Sequence, residues 1–585
     1  MSTSGVPVTG AVGDERAEGG APSEGEDPRG DLRFGSVPGL VADAARRFGD
    51  AEALADGEVR LSFAELEAQA LVVTRAAMAA GIAAGDRVAI WAPNIAEWVV
   101  AALGLLGAGA VLVPINTRFK GPEAAYVLRR SGAVALFCVR GFLGYDYPAM
   151  LEGEDLPALG RIVLLRDLDE SGPRSEPTVA DEVPVFAWSE FLAGAQGVVE
   201  GVGVMVGRPV TDPDARARWE AVRGEDVSDI IFTSGTTGRP KGAVTTHAQT
   251  LRTFATWASI AGLSHEDRYL IVNPFFHTFG YKAGILACLL QGATIVPEAV
   301  FDVDRVLGTI GRERITMLPG PPTLYQSILD HPRRAEYDLS SLRLAVTGAA
   351  VVPVELIRRM RSELTFETVL TAYGLTESTG VVTMCRQGDS PEVIAETSGR
   401  AIPGIEVAVV GDGPAASPLP AGEPGEIVVR GYTVMREYFE DPEATADAVD
   451  PAGWLHTGDI GVMDEAGNVR ITDRKKDMFI VGGFNAYPAE IEGMLLRHPG
   501  VAQAAVVSMP DERLGEVGVA FVVPRPGAVV DTLAEELVSF ARDTMANYKV
   551  PRRVEVVEAL PLNASGKVLK TELRARLADD RQAER

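Results

Sequence analysis

Residues 229–242 constrain this chain most: Asp-Ile-Ile-Phe-Thr-Ser-Gly-Thr-Thr-Gly-Arg-Pro-Lys-Gly, an apolar strand running into a loop of hydroxyls and glycines. Gly235, Gly238 and Gly242 allow positive φ and let backbone N–H groups approach an anion, while Thr233, Ser234, Thr236 and Thr237 offer hydroxyl donors. Lys241 adds a full positive charge. The pattern suits phosphates. It is not the Walker loop, which sets its lysine directly before Ser or Thr, whereas Lys241 stands between Pro240 and Gly242. A plain surface loop is the competing reading, and the strand before it and the Pro-Lys-Gly ending weigh against that.

A chain of 585 residues exceeds what one hydrophobic core supports, so at least two domains are expected. With 46% hydrophobic and 23% charged residues the composition is that of a globular protein. The net charge of −26 argues against a broad nucleic-acid or anionic-membrane surface. A bound nucleotide is still allowed, because a local nest of N–H groups and one lysine outweighs the global field at contact distance. Cys138, Cys288 and Cys385 stand far apart with no CxxC pair, which predicts a reducing cytoplasm and neither zinc site nor disulfide framework. No basic region followed by an apolar run marks the N-terminal residues as a signal peptide. Residues 98–116 are uncharged and near spanning length, but Gly104, Gly107, Gly109 and Pro114 split them into a buried helix and then a strand at 110–114.

Residues 1–30 are rich in Gly, Pro, Ser and Glu and are expected to form a disordered tail. From there, helical periodicity at 40–48 and 62–80 alternates with β-rich runs at 87–91 and 134–139, which predicts α/β architecture with a largely parallel sheet. Residues 152–223 are acidic and loop-rich and read as containing a surface insertion.

Further segments carry chemistry. His277 lies among aromatics in Asn-Pro-Phe-Phe-His-Thr-Phe-Gly, company in which a histidine is ordinarily a satisfied core residue. Thr347-Gly348-Ala349-Ala350 follows a strand, and its small residues would let a flat purine lie against the backbone. Tyr373-Gly-Leu-Thr376-Glu377 follows the next strand, and a glutamate at a strand end is by itself often a surface cap. Asp459, after a Thr-Gly turn, can accept two hydrogen bonds, which suits a ribose diol. Residues 473–477, Asp-Arg-Lys-Lys-Asp, read as a solvated linker, and the paired Gly482 and Gly483 give backbone room. Lys567, in Asn-Ala-Ser-Gly-Lys, reads as a solvated turn lysine.

Taken in this order and spacing, TSGTTGRPKG and its companions resemble the adenylate-forming superfamily of acyl-CoA synthetases, luciferases and peptide-synthetase adenylation domains. The resemblance runs from about Asp31 to the C-terminal end. It implies an α/β fold with a large multi-sheet N-terminal domain, 31–475, and a small, mobile α+β C-terminal domain, 476–585. ATP, Mg2+ and coenzyme A are the implied cofactors and co-substrates. The resemblance places Thr233, Ser234, Gly235, Thr236, Thr237, Gly238 and Lys241 on the phosphates. It sets Gly348, Ala349 and Tyr373 at adenine, Thr376 at the α-phosphate, Glu377 on the metal, and Asp459 and Arg474 at the ribose. His277 becomes an aromatic gate admitting the carboxylate, Lys567 the adenylation lysine, Lys476 the hinge, and Gly482 and Gly483 the pantetheine channel.

These roles describe an acid–thiol ligase that forms an acyl-adenylate and then a thioester, with domain rotation switching between the steps. A non-catalytic nucleotide-binding relative would be expected to have lost Lys567, Glu377 or Lys241, and all three are present. The runs NPFFHTFGYKAGILACL, LPGPPTLYQSILDHP and LTAYGLTES resemble actinobacterial CoA ligases of steroid catabolism, which implies a bicyclic steroid-derived propanoate. A medium-chain fatty acid, an aryl acid, and a free acyl carrier protein as acceptor stay open, as does a homodimer. Phe279, Lys282 and Gly320 are the expected acyl-pocket residues. Lys282 is the most informative, since 281–290 reads as a buried helix in which a lysine must either snorkel to solvent or meet a polar atom of the acid.

Overall fold

The computed structural model of the chain describes residues 35–168, 183–194, 209–233, 240–348, 352–411, 417–474, 477, 479–481, 484–511, 513–545, 547–562 and 568–583. The expected 1–30 tail lies outside them. Helix Val37–Phe48 opens the fold, with Leu40, Val41 and Ala44 buried as the periodicity predicts, and it stops at Gly49 with φ 47°. Ser62 and Glu65 form a capping box on helix Phe63–Ala79, fixing its start where the Ser-Phe-Ala-Glu sequence indicates. Residues 98–116 divide as expected into helix Ala96–Gly107 and strand Val111–Pro114. No helix among the described residues is long and apolar enough to cross a membrane. Gly104 is where this helix meets Phe63–Ala79: a Cβ there would stand 2.4 Å from Val73 Cβ.

Nine strands make the central sheet. Its body is parallel, with Val227–Thr233, Val111–Pro114, Arg87–Trp91, Ala135–Phe142, Arg161–Asp167 and Val185–Ala187 side by side. Such strands are buried on both faces and read as continuous apolar runs, which is why Arg87–Trp91 is legible from sequence. Lys241–Thr246 then returns antiparallel on Val227–Thr233 and pairs in turn with the short strand Glu437–Tyr438. The reading of 152–223 as loop-rich needs correction. Arg161–Asp167 belongs to the central sheet with Ile162, Val163 and Leu165 buried, and helix Asp212–Ala221 packs Trp219 against Thr74.

A four-stranded sheet, Arg268–Ile271, Thr294–Pro297, Glu52–Asp56 and Val59–Ser62, flanks this body. A second, Leu344–Gly348, Thr368–Tyr373, Thr383–Met384 and Arg400–Ala401, carries Gly348 and Tyr373, and a third runs Ile405–Val410, Gly425–Gly431, Leu455–Met463 and Val469–Arg474. One core extends from Val37 to Val469; separate small cores begin at Phe479 and lie within the five-stranded C-terminal sheet and its helices. That is the large α/β body with a smaller α+β unit that the resemblance implies.

The flanking sheet is tied to helix Val303–Glu313 by a charge cluster. Glu313 accepts from Arg60 at 2.8 Å and from Arg268 at 2.9 Å. The Arg60 hydrogen bond leads in holding the Glu313 carboxyl down at about 2, against 4.5 for the ordinary group. A depressed acid stabilises the fold fully above its unfolded value and loses that contribution as pH falls toward the folded one. Melting scans should therefore show wild type losing stability between pH 4.5 and about 2 more steeply than Glu313→Gln. Parallel acid limbs would show that the cluster contributes nothing there.

Candidate active site

The two strands that flank residues 234–239 bring the first site residues together. Their outermost Cα pair is Thr233 and Lys241, so these two residues stand on either side of residues 234–239. Ser234, Gly235, Thr236, Thr237 and Gly238 lie outside the described residues. Thr233 Oγ1 donates to Glu377 Oε1 at 3.3 Å, and the Tyr438 hydroxyl donates to the same oxygen at 2.9 Å. Lys241 Nζ lies 5.2 Å from the Tyr438 ring centroid, within cation–π range. Burial, and then the Glu377 charge, push the Tyr438 phenol well above its usual value, so it stays a donor. The two hydroxyls thus hold the carboxylate by one oxygen, and a carboxylate is the hard oxygen ligand that suits Mg2+.

Glu377 is aimed by an unusual turn. It sits in the short 3-10 turn Thr376–Ser378 after strand Thr368–Tyr373, and Gly374 between them is held so close that a Cβ would stand 2.3 Å from the Gly380 carbonyl. Thr379 follows at φ 57°, a costly conformation for a β-branched residue. Its hydroxyl donates to the Thr433 carbonyl at 2.6 Å, and the Met435 N–H donates to the Glu377 carbonyl at 2.7 Å. The segment 433–438 thus clamps the turn and delivers Tyr438.

The residues expected at the nucleoside come from strand ends. Gly348 is the parallel partner of Ala372, which puts it beside Tyr373. The Tyr373 hydroxyl donates to Asp459 Oδ2 at 2.6 Å, with both residues buried. Asp459 in turn is the antiparallel Cα partner of Arg474. Four residues assigned to adenine and ribose are therefore neighbours. The Tyr373–Asp459 bond was not anticipated from sequence, and it orients the carboxylate.

The segment leading to His277 is fixed by Asn94. Its amide nitrogen donates to the Ile271 and Asn273 carbonyls, both at 2.9 Å, and its oxygen accepts from Phe275 N–H at 2.8 Å. His277 caps the short helix Thr278–Gly280, with Nδ1 accepting from Phe279 N–H at 3.2 Å. Burial pulls its pKa down to about 4, so the ring is neutral near pH 7 and carries its proton on Nε2. Phe279 is half-buried and meets Trp257 edge to face at 6.0 Å. Gly320 N–H donates to the Val346 carbonyl at 3.1 Å, which joins that acyl-pocket candidate to the strand ending at Gly348.

Lys282 requires correction on both counts. It does not snorkel, being 0% exposed, and its ammonium is spent on side chains of the protein itself. All three N–H groups are committed, to Asp229 Oδ1 at 2.8 Å, Thr245 Oγ1 at 2.8 Å and Thr250 Oγ1 at 3.2 Å. A ketone would find no donor left there. The segment is also not a plain helix, because Tyr281–Leu286 is π-helical. Burial lowers the ammonium's pKa from its ordinary value and Asp229 opposes that.

Tyr438 and Asn94 were missed in the sequence. Neither has a local signal, since Tyr438 meets a residue 61 positions away and Asn94 meets partners 177 to 181 positions away. Ala349, Lys476, Gly482, Gly483 and Lys567 lie outside the described residues, as does the side chain of Arg474.

The sequence profile of the AMP-binding enzymes matches residues 41–439, and that of the AMP-binding enzyme C-terminal domain matches 490–567. The chain is 50% identical over 544 residues to the 3-(7a-methyl-1,5-dioxo-octahydro-1H-inden-4-yl)propanoyl:CoA ligase of Rhodococcus jostii (strain RHA1), covering 92% of this chain and 98% of the other. It is 48% identical, over 93% and 99%, to the ligase of the same name from Mycobacterium tuberculosis (strain ATCC 25618 / H37Rv). Among solved structures it resembles the anthranilate CoA ligase AuaEII in complex with anthranoyl-AMP, with a TM-score of 0.79, 26% identity and 93% and 98% of the chains covered. The chain belongs to the AMP-binding enzyme family.

Proposed function

We propose that this chain is an ATP-dependent acid–CoA ligase whose acid is a bicyclic propanoate bearing ring ketones, of the kind named for its Rhodococcus and Mycobacterium relatives. What carries the reading is identity of about half over nearly the full length of both chains, spanning body and C-terminal unit alike. Thr233, Lys241 and the residues 234–238 hold the β- and γ-phosphates. Glu377 would hold Mg2+ together with phosphate oxygens, and the ion would neutralise charge there. Gly348, Ala349 and Tyr373 take adenine, Asp459 and Arg474 the ribose, and Thr376 the α-phosphate. Phe279 and Gly320 wall the acyl pocket.

In the first half-reaction a carboxylate oxygen attacks the α-phosphorus, the α–β phosphoanhydride bond breaks, and pyrophosphate leaves. His277 steers that carboxylate with Nε2–H as donor. Lys567 balances charge on the carboxylate and bridging oxygens, so attack proceeds between positioned reactants. In the second half-reaction the CoA sulfur attacks the acyl carbonyl, the bond to AMP breaks, and the thiol proton passes to solvent. Rotation of the C-terminal unit about Lys476 withdraws Lys567 and brings Gly482 and Gly483 to the pantetheine arm.

A panel of carboxylates assayed for pyrophosphate release with and without CoA tests this. The dioxo-octahydroindenyl propanoate should lead straight-chain and aryl acids, with acyl-CoA accumulating. A preference for unsubstituted fatty acids would remove the substrate assignment, and turnover on a carrier protein but not CoA would remove the acceptor. Lys476→Pro should separate the steps, because proline fixes φ near roughly −65° and obstructs a backbone hinge. Adenylate should form normally while CoA transfer slows by about tenfold or more, as expected when a gating motion is obstructed. Normal transfer would show that Lys476 is not the hinge.

A further inference from the structure

Asp229 and Lys282 form a buried ion pair that the chemistry above leaves without a task. Asp229 lies on strand Val227–Thr233, Thr245 is its Cα partner on Lys241–Thr246, and both side chains are buried. Asp229 Oδ1 accepts from Lys282 and from Thr245 Oγ1, each at 2.8 Å, and Oδ2 accepts from Ser228 Oγ at 2.6 Å. Thr250, on the helix His247–Ala261 that follows, takes the remaining ammonium hydrogen. One cation thus ties together both strands that bear the phosphate loop and the helix leaving it.

The other end of the tie is the gate. Lys282 is the second residue of the π-helix, and the first, Tyr281, donates its N–H to the His277 carbonyl at 3.0 Å. His277 and Lys282 therefore ride on one continuous turn. Three local costs converge here. A buried ion pair is often no more stable than apolar groups of the same size, a cation at a helix start opposes the helix dipole, and a π-helical turn is a departure tolerated mostly at functional sites. Stability alone gives a poor account of all three at one place.

We propose that the Lys282–Asp229 pair is a positioning device that locks the His277 turn to the stem of the phosphate loop, so that nucleotide phosphates and the incoming carboxylate are held in register. The pair touches neither substrate and acts through Lys241 and His277. For the identity of those substrates this rests on the ligase reading. It makes binding at one site favour binding at the other, a coupling of the usual reciprocal kind.

The test is the ratio of dissociation constants for Mg2+ and α,β-methylene-ATP, a non-cleavable analogue, measured calorimetrically on the full chain without and with saturating acid. The acid is whichever panel member gives most pyrophosphate with wild type, so failure of the substrate assignment shows up in the panel and not here. In wild type the acid should tighten the nucleotide by about fivefold or more. In Asp229→Asn/Lys282→Met, where no unpaired charge is left, the ratio should fall to near one while each ligand alone binds within about twofold of wild type. Steady-state kinetics should show KM for ATP and acid rising together, whereas a merely structural pair would lower the active fraction and leave both KM values alone. A folded double variant that keeps the wild-type ratio overturns the proposal, as does a wild-type ratio of one. If the double variant does not fold, Thr250→Val, which removes one ammonium partner and keeps the pair, decides: a ratio reduced about twofold or more supports the tie, and an unchanged ratio overturns it.

Discussion

Replacing Lys567 by alanine is expected to slow acyl-adenylate formation about 10²–10³-fold and to leave thioester formation from supplied acyl-adenylate within a few-fold of wild type. Its charge is needed only while negative charge builds on the α-phosphate and the carboxylate. On the proposed rotation the lysine is withdrawn in the second step, so its loss should not be felt. Of the described residues on either side of it, Leu562 and Val568 bridge antiparallel, and Leu569 N–H donates to the Pro561 carbonyl at 2.8 Å. The neighbouring Lys570 cannot substitute, because its ammonium is paired with Glu492 at 2.8 Å in the C-terminal unit. Lys570→Ala is thus the control and should change neither half-reaction by more than about twofold, in keeping with the small worth of most such pairs. Single-turnover pyrophosphate release and thioester formation from synthetic acyl-adenylate read the two steps separately. Equal losses in both would deny Lys567 a role confined to adenylation.

Local patterns carried most of the fold. Helices Val37–Phe48 and Phe63–Ala79 could be placed because period and cap agree, and Arg87–Trp91 because a doubly buried parallel strand is apolar throughout. Residues 152–223 misled because acidic, Gly-rich sequence surrounds the short strand Arg161–Asp167, whose burial depends on pairing with Ala135–Phe142. Motif order singled out Asp459, Glu377 and Tyr373, but neither the Tyr373–Asp459 bond nor the partners of Glu377 could be read from it. Thr233 meets Glu377 across 144 positions, and no spacing rule predicts which oxygen a hydroxyl will find at that distance. Lys282 shows the limit most clearly. Burial and the helix dipole correctly demand a compensating group, and physical chemistry alone cannot say whether it comes from solvent, ligand or another strand. It comes from Asp229, at the head of the same motif that announced the phosphate loop.

Glu377→Gln is expected to slow adenylation about 100-fold at fixed Mg2+ and to raise the Mg2+ concentration needed for half-maximal rate, with the melting temperature little changed. The substitution is nearly isosteric. Its amide oxygen can still accept from the Tyr438 hydroxyl and from Thr233 Oγ1, the two partners that hold the carboxylate at 2.9 and 3.3 Å, so the turn clamped by Thr379 and Met435 has no reason to move. What disappears is the charge. An amide is a poor ligand for a hard cation that sheds its water reluctantly, so the consequence should fall on metal and phosphates and spare the acid. Tyr438→Phe separates charge from orientation, because it removes a donor to Oε1 and leaves the carboxylate. Its loss should stay below about tenfold, the scale of one neutral hydrogen bond. Thermal shifts with ATP, run with and without Mg2+, give a reading independent of turnover: wild type and Tyr438→Phe should gain stability from adding the metal, and Glu377→Gln should gain much less. If the glutamine variant responds to Mg2+ as wild type does, the metal is held elsewhere, and Glu377 serves only to seat Tyr438 and Thr233 beside the phosphate loop.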